Sequence, residues 1–303
     1  MFDVFIKSLT FIIIICIGFS LKKLKVLKKK DADVLATIIM NVTLPCALLT
    51  SANGISVDST IILLLICGIL TNSFMILVGC IAAQKESSII KGTYMINCSG
   101  FNVGNFVLPF VTTFFPGAGV AYLCAFDIGN ALMGLGITYA IADGVASGQT
   151  HFDLKQTLKK LFSSIPFDVY LLVFVLAIFK LSVPTPVLAI ASTIGAGNAF
   201  LAMLMIGILL EIKIPAQEIK GVFKIISLRF IGFIIMVGFI FLILPIPNLA
   251  KEILVLAICG PISTVSPVFC KKIGYKGDLS AAANSISIIV AVCMMTILLM
   301  LFV

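Results

Sequence analysis

Asn97-Cys98-Ser99-Gly100-Phe101-Asn102-Val103-Gly104-Asn105-Phe106-Val107-Leu108-Pro109 is the stretch that decides the fold. It lies inside an otherwise apolar run, Gly92–Phe115, yet three asparagines, two glycines and a proline share its thirteen residues. In lipid, backbone groups freed from a helix cost several kcal/mol each unless something satisfies them, so such a segment must face protein or water. A second stretch has the same character. Gly260-Pro261-Ile262-Ser263-Thr264-Val265-Ser266-Pro267 interrupts the apolar run Ala250–Cys270. Each proline removes an intrahelical bond and clashes with the preceding turn. Proline and small residues also serve close helix packing in membranes. Packing alone does not account for three intramembrane asparagines beside a broken backbone, and paired interruptions of this kind point to a transport site.

Outward from these two segments, the chain is almost continuously apolar. Of its 303 residues, 61% are hydrophobic and 11% charged, with a mean hydropathy of +1.23. A soluble domain carries about 25% charged residues, so the solvent for most of this surface is lipid. The apolar runs are Phe2–Phe19, Val34–Ser51, Thr60–Ala83, Gly92–Phe115, Gly119–Ala142, Ile165–Phe179, Pro186–Leu210, Ile219–Leu244, Ala250–Cys270 and Leu279–Val303. Ten spans of about 20 residues fit, with short connections and no room for an appended soluble domain. The expected fold is therefore an all-α membrane protein of ten transmembrane helices, forming one domain over residues 1–303. The N-terminus is not read as a signal peptide, because the basic cluster follows the first apolar run instead of preceding it.

Charge sets the orientation. Seventeen lysines fall in the connections after odd-numbered spans: Lys22, Lys23, Lys25, Lys28, Lys29, Lys30, Lys85, Lys91, Lys155, Lys159, Lys160, Lys213, Lys220, Lys224, Lys271, Lys272 and Lys276. Only Lys7, Lys180 and Lys251 fall on the other side. The positive-inside rule then places both termini outside a cytoplasmic membrane. The net charge of +8 is topological on this reading, and nucleic acid is not an expected partner. Arg229, just inside the eighth span, is expected to snorkel. The nine cysteines have no CxxC spacing, and the single histidine, His151, sits in a polar loop. No metal site, cofactor or disulfide framework is expected. Neither an HExxH pair nor a nucleophile with a base is present, so an enzyme is not expected.

The spans divide as five plus five about the loop Gly144–Ser164, giving repeats 1–143 and 165–303. Asn41-Val-Thr-Leu-Pro45 matches Asn198-Ala-Phe-Leu-Ala202 at an offset of 157. Pro109 matches Pro267 at 158, and Asp127 matches Asn284 at 157. An odd number of spans per copy inverts the second, which makes two inverted five-helix repeats with broken helices 4 and 9, a plan found in secondary transporters. The candidate substrate-binding residues are Asn102, Asn105, Asn41, Asn198, Ser263, Thr264 and Ser266, with half-helix N-termini adding positive dipole for an anion. Pro109, Pro261, Pro267 and Gly104 would form the crossover. Asp127, the acid deepest within a span, is the candidate for proton or ion coupling, with Asn284 as its repeat mate; a structural hydrogen bond to a neighbouring span is the alternative. Glu211, beside Lys213, is expected to be a solvated helix-end charge, and Asp58 an interfacial one.

With these residues placed, the chain resembles the auxin efflux carrier family, which includes bacterial permeases and plant auxin exporters. The resemblance covers the whole length. It rests on Asn41-Val-Thr-Leu-Pro45, on Phe101-Asn102-Val-Gly104-Asn105-Phe-Val-Leu-Pro109, and on Pro261 followed by Lys271-Lys272-Ile-Gly274-Tyr-Lys-Gly277-Asp278. Val107 and Ala202 stand where many bacterial members have glycine and proline. The resemblance implies spans four and nine crossing at their prolines between a scaffold and a mobile, elevator-like transport domain. It also implies a small organic anion such as auxin, malonate or malate as substrate. The expected function is thus a secondary transporter for such an anion in the cell membrane, driven by a proton or by membrane potential. The alternative is a sodium- or proton-coupled symporter or antiporter of the bile-acid or sodium–proton type. Assembly as a homodimer is compatible with either.

Overall fold

The computed structural model describes residues 2–51, 53, 59–148, 154–163, 165–211 and 214–303. His151, Asp58 and Lys213 lie outside the described residues. The described chain is helical apart from its connections and a single isolated bridge. In order, the helices are α1 (Phe2–Lys23), α2 (Asp31–Ser51), α3 (Ser59–Ala82), α4 (Ser88–Cys98), α5 (Val103–Phe114), α6 (Ala118–Ser147) and α7 (Leu154–Leu161). Then come α8 (Ile165–Ile178), α9 (Thr185–Leu209), α10 (Ile219–Leu242), α11 (Asn248–Ile258), α12 (Ser266–Lys272) and α13 (Leu279–Phe302).

Among the described residues seven helices are long and apolar enough to cross a membrane: α1, α2, α3, α6, α9, α10 (with the short helical turn before it) and α13. That set fits a multi-pass helical membrane protein. The outward apolar surface agrees, since Leu70, Phe223 and Leu242 are 58%, 65% and 87% exposed, which water would penalise and acyl chains would not. The remaining expected spans are shorter or interrupted. The sixth, α8, has 14 residues, fewer than the about 20 that a straight span needs. The expected fourth and ninth spans are each two pieces, α4 with α5 and α11 with α12. The loop expected over Gly144–Ser164 is partly helical, because α6 runs on to Ser147 and α7 follows.

The helices pack in two groups. In the first, α1 lies against the second half of α9, and α2 against its first half and against α8. Small residues set these approaches: a Cβ on Gly207 would lie 2.1 Å from the Ile15 carbonyl oxygen, and one on Gly195 2.8 Å from the Ala47 nitrogen. In the second group α3 packs on α6 and α4, α4 on the far end of α6, and α10 on α13. Gly68 and Gly129 make the α3–α6 contact so close that a Cβ on either would lie 2.3 or 2.2 Å from a facing carbonyl oxygen. Without a hydrophobic drive between helices in lipid, such backbone approach supplies the cohesion within each group.

The two interrupted pairs meet. After Cys98 the chain turns through Gly100, whose φ of +72° is a left-handed conformation that glycine adopts freely. Phe101 then bridges Ile262 in antiparallel fashion, and the Asn102 amide donates to the Pro261 carbonyl at 2.9 Å. Two helix breaks thus satisfy part of each other's backbone, as a low-dielectric surrounding requires.

Candidate functional site

The crossing is braced by a chain of side-chain amides. Asn72 on α3 accepts from the Gly100 amide at 2.7 Å and donates to Asn130 on α6 at 3.1 Å. Asn130 accepts from the Phe101 amide at 3.1 Å and donates to the Phe101 carbonyl at 2.9 Å. Its amide also donates to Asp127 at 2.9 Å, and the Tyr170 hydroxyl on α8 donates to the other Asp127 oxygen at 3.1 Å. On the opposite side of the crossing, Ser287 on α13 accepts from the Ile262 amide at 3.0 Å. Each residue of the Phe101–Ile262 bridge is therefore held by a polar side chain from a flanking helix.

Beside the crossing lies a cavity of about 170 Å³. Its walls include Gly100 to Asn105 from the first break, Ser263 to Val265 from the second, Asp127, Asn130 and Gly134 from α6, and Met40 and Leu44 from α2. Leu161 of α7 and Pro166, Phe167 and Tyr170 of α8 complete it. Three π-helical turns occur among the described residues, Ile39–Thr43, Val103–Val107 and Met133–Ile137, and all three contribute to these walls. A π-turn widens the helix and turns backbone groups outward, and such turns concentrate at functional sites. Gly104 lies near the carboxylate, since a Cβ there would lie 4.0 Å from an Asp127 oxygen. The Asn105 side-chain oxygen is buried without a hydrogen-bond partner. Gly104 and Asn105 also belong to the first turn of α5, where amide N–H groups lack intrahelical acceptors. The cavity thus offers amide donors, hydroxyls and one carboxylate.

No model of a known protein family matches the chain, and no curated protein matches it. The site is therefore characterised by its own geometry.

Of the residues singled out in the sequence, Asn102, Gly104, Asn105, Asp127, Ser263 and Thr264 come together at this cavity. The others do not line it. Asn41 is exposed on the outside of α2. Asn198 is buried, its side-chain oxygen accepting from Thr43 at 2.9 Å. Ser266 is buried, and Pro109 and Pro261 are buried in the packing around the crossing. Pro267 and Asn284 instead line a second cavity of about 250 Å³, together with Thr264, Lys29, Lys271 and Ser280. Thr264 is the residue common to both. Asn97 faces away, accepting from Ser280 at 2.6 Å.

Glu211 is the exposed helix-end charge expected, and it pairs with Lys29 at 2.8 Å. One expectation about charges changes: Arg229 does not reach outward to the interface. Its guanidinium turns inward onto the Asn97, Cys98, Ser99 and Gly100 carbonyls at 2.7–3.3 Å and the Gly260 carbonyl at 2.9 Å. The sequence reading missed Asn72, Asn130, Tyr170 and Arg229 as parts of the site. A signal was present, because an amide or a guanidinium inside an apolar run needs a partner there. Which partner it finds depends on helices far apart in sequence.

Proposed function

We propose that the chain is a ten-span secondary transporter that moves a small organic anion past the crossing, in the manner of the auxin efflux carriers it resembles. The observation that carries this reading is the pair of helix breaks bonded to each other beside a polar cavity lined by Asn102, Asn105, Ser263 and Thr264. Amide donors at Asn102 and Asn105, hydroxyls at Ser263 and Thr264 and the first turn of α5 suit a carboxylate. An ionised Asp127 in the same cavity would repel an anion, whereas a protonated one would not. Anion and proton therefore bind together, and a proton gradient drives the cycle. The two packing groups would act as scaffold and mobile unit, with the α5–α12 crossing carried by the mobile one.

The inverted repeat is supported beyond the sequence landmarks. Asn72 and Arg229 stand 157 apart, and both bind the crossing; Asn130 and Ser287 stand 157 apart, and each holds one residue of the bridge. Contacts between connections support the alternation of spans. Lys22 donates to the Leu210 carbonyl, Lys29 pairs with Glu211, and Tyr275 donates to Glu218 at 3.0 Å, all between connections expected inside. The Gly117 amide donates to the Ser51 carbonyl at 2.8 Å, and the Val183 amide to Asn53 at 3.0 Å, both between connections expected outside.

The test is uptake into liposomes carrying the purified protein, with malonate, malate and indole-3-acetate as probes. Saturable uptake of at least one, accelerated by an inward proton gradient, is expected. Transport of none above protein-free liposomes, in either gradient direction, overturns the reading; uptake that requires sodium replaces it with the sodium-coupled alternative.

A further inference from the structure

Two half-helices, α4 and α11, end at the crossing with their carboxyl termini close together. The last carbonyls of a helix have no intrahelical donors, and the end carries partial negative charge. Two such ends in a low-dielectric surrounding repel each other and leave several acceptors to satisfy. Arg229 of α10 lies between them. One of its terminal nitrogens is 2.7 Å from the Cys98 carbonyl and 3.2–3.3 Å from those of Asn97, Ser99 and Gly100, while the other donates to the Gly260 carbonyl at 2.9 Å. The Phe101 ring lies 5.0 Å from the guanidinium carbon. Among the described residues Arg229 forms no ion pair with a carboxylate; the one ion pair there is Lys29–Glu211. Its charge is balanced by carbonyl dipoles.

A ring of unwound backbone carbonyls around a positive charge is the environment that broken membrane helices offer to a coupling cation. Here that position is covalently filled, and a guanidinium remains charged at any physiological pH. We propose that Arg229 is a tethered counter-cation: a positioning residue that fastens both half-helix ends into one unit and does so in place of a bound alkali ion. This rests on the transport reading for its functional meaning, which is that the crossing keeps its shape through the cycle without sodium or potassium.

The experiment is the melting temperature of the purified full chain in detergent, at constant ionic strength in sodium, potassium or N-methyl-D-glucamine chloride, with and without methylguanidinium. The wild type should melt at the same temperature in all three salts, within about 1 °C. Arg229→Ala should melt roughly 4–8 °C lower and recover part of the loss in methylguanidinium or a small alkali cation, but none in N-methyl-D-glucamine. Arg229→Met keeps the bulk without the charge and should fall as far as alanine, whereas Arg229→Lys should lie between. The lysine and methionine variants carry the comparison if the alanine variant does not fold. A methionine variant as stable as wild type, a loss that no cation reverses, or a wild type stabilised by sodium overturns the proposal. No substrate enters the measurement, so its failure and the failure of liposome uptake are separate outcomes.

Discussion

Asn105 and Asn130 show how one side-chain type serves two purposes in the wall of one cavity. Asn130 spends both ends of its amide on Phe101, Asp127 and Asn72 and has nothing left for a ligand. Asn105 lines the cavity, where its side-chain oxygen is an unpartnered acceptor and its amide N–H is the group that a carboxylate can use. An amide lost from such a position leaves its ligand partner unpaired at a cost of ~1–3 kcal/mol. Asn105→Ala should therefore weaken binding of a transported carboxylate by about five- to 150-fold, as read by calorimetry on monodisperse protein. Ile62→Ala, at an outward position that is 64% exposed, should leave affinity unchanged. Asn72→Ala has a different signature, because it removes the acceptor of the Gly100 amide. It should lower the melting temperature by several degrees, as loss of a buried partner does. Asp127→Asn keeps the size of the side chain and its capacity to accept from Tyr170 while removing the titrating group. The variant should fold, and its transport should lose acceleration by a proton gradient; an undiminished pH response would make Asp127 a brace only.

Among elements, the two interrupted pairs differ in a way that bears on the site. The break before α5 is followed at once by a π-turn that opens onto the smaller cavity, whereas the break from Cys259 to Val265 leads into α12 without one. The two interrupted pairs are therefore unequal in their surroundings: amides and Asp127 gather at the first, hydroxyls and Arg229 at the second. Cohesion inside each packing group comes from glycine contacts, and the α3–α6 pair is the tightest in the second group. Gly129→Leu would drive a side chain into the Leu65 carbonyl, 2.2 Å from the first added carbon. Backbone cannot give way as a flexible side chain can. The variant should lose its sharp gel-filtration peak or melt far below wild type. Gly134→Ala, on the same helix with open space at its Cβ position, should be tolerated.

At the scale of the whole molecule, the proposed orientation rests on one charge asymmetry, seventeen lysines against three. With the lysine-rich side inside, a cysteine introduced at Asn53 or Pro116 should react with a membrane-impermeant maleimide in sealed cells, and one at Lys28 or Gln156 should not. Labelling at Lys28 would sink the ten-span alternation. The lysine-rich side has its own fastening, since Tyr275 donates to both oxygens of the buried Glu218 at 3.0 Å. Burial and that carboxylate push the Tyr275 phenol above its usual range, so this tie keeps its proton across the range in which Asp127 would work.

The sequence by itself determined the apolar, multi-pass helical character, the places of the seven long helices and the two interruptions, because hydropathy and proline chemistry are local properties of the chain. It also marked Asn102, Asn105, Asp127, Ser263 and Thr264, since a polar group inside an apolar run must find a partner. What it left open was which partner. Asn72, Asn130 and Arg229 lie 28, 29 and 129 residues from the backbone groups they bind at the first break, and no periodicity links them. Asn41 and Asn198 occupy equivalent places in sequence, yet packing turns one outward and buries the other. Only the tertiary structure decided that Arg229 faces the crossing. A long cationic side chain can equally reach the interface, and the choice belongs to carbonyls that the two helix breaks bring together in space.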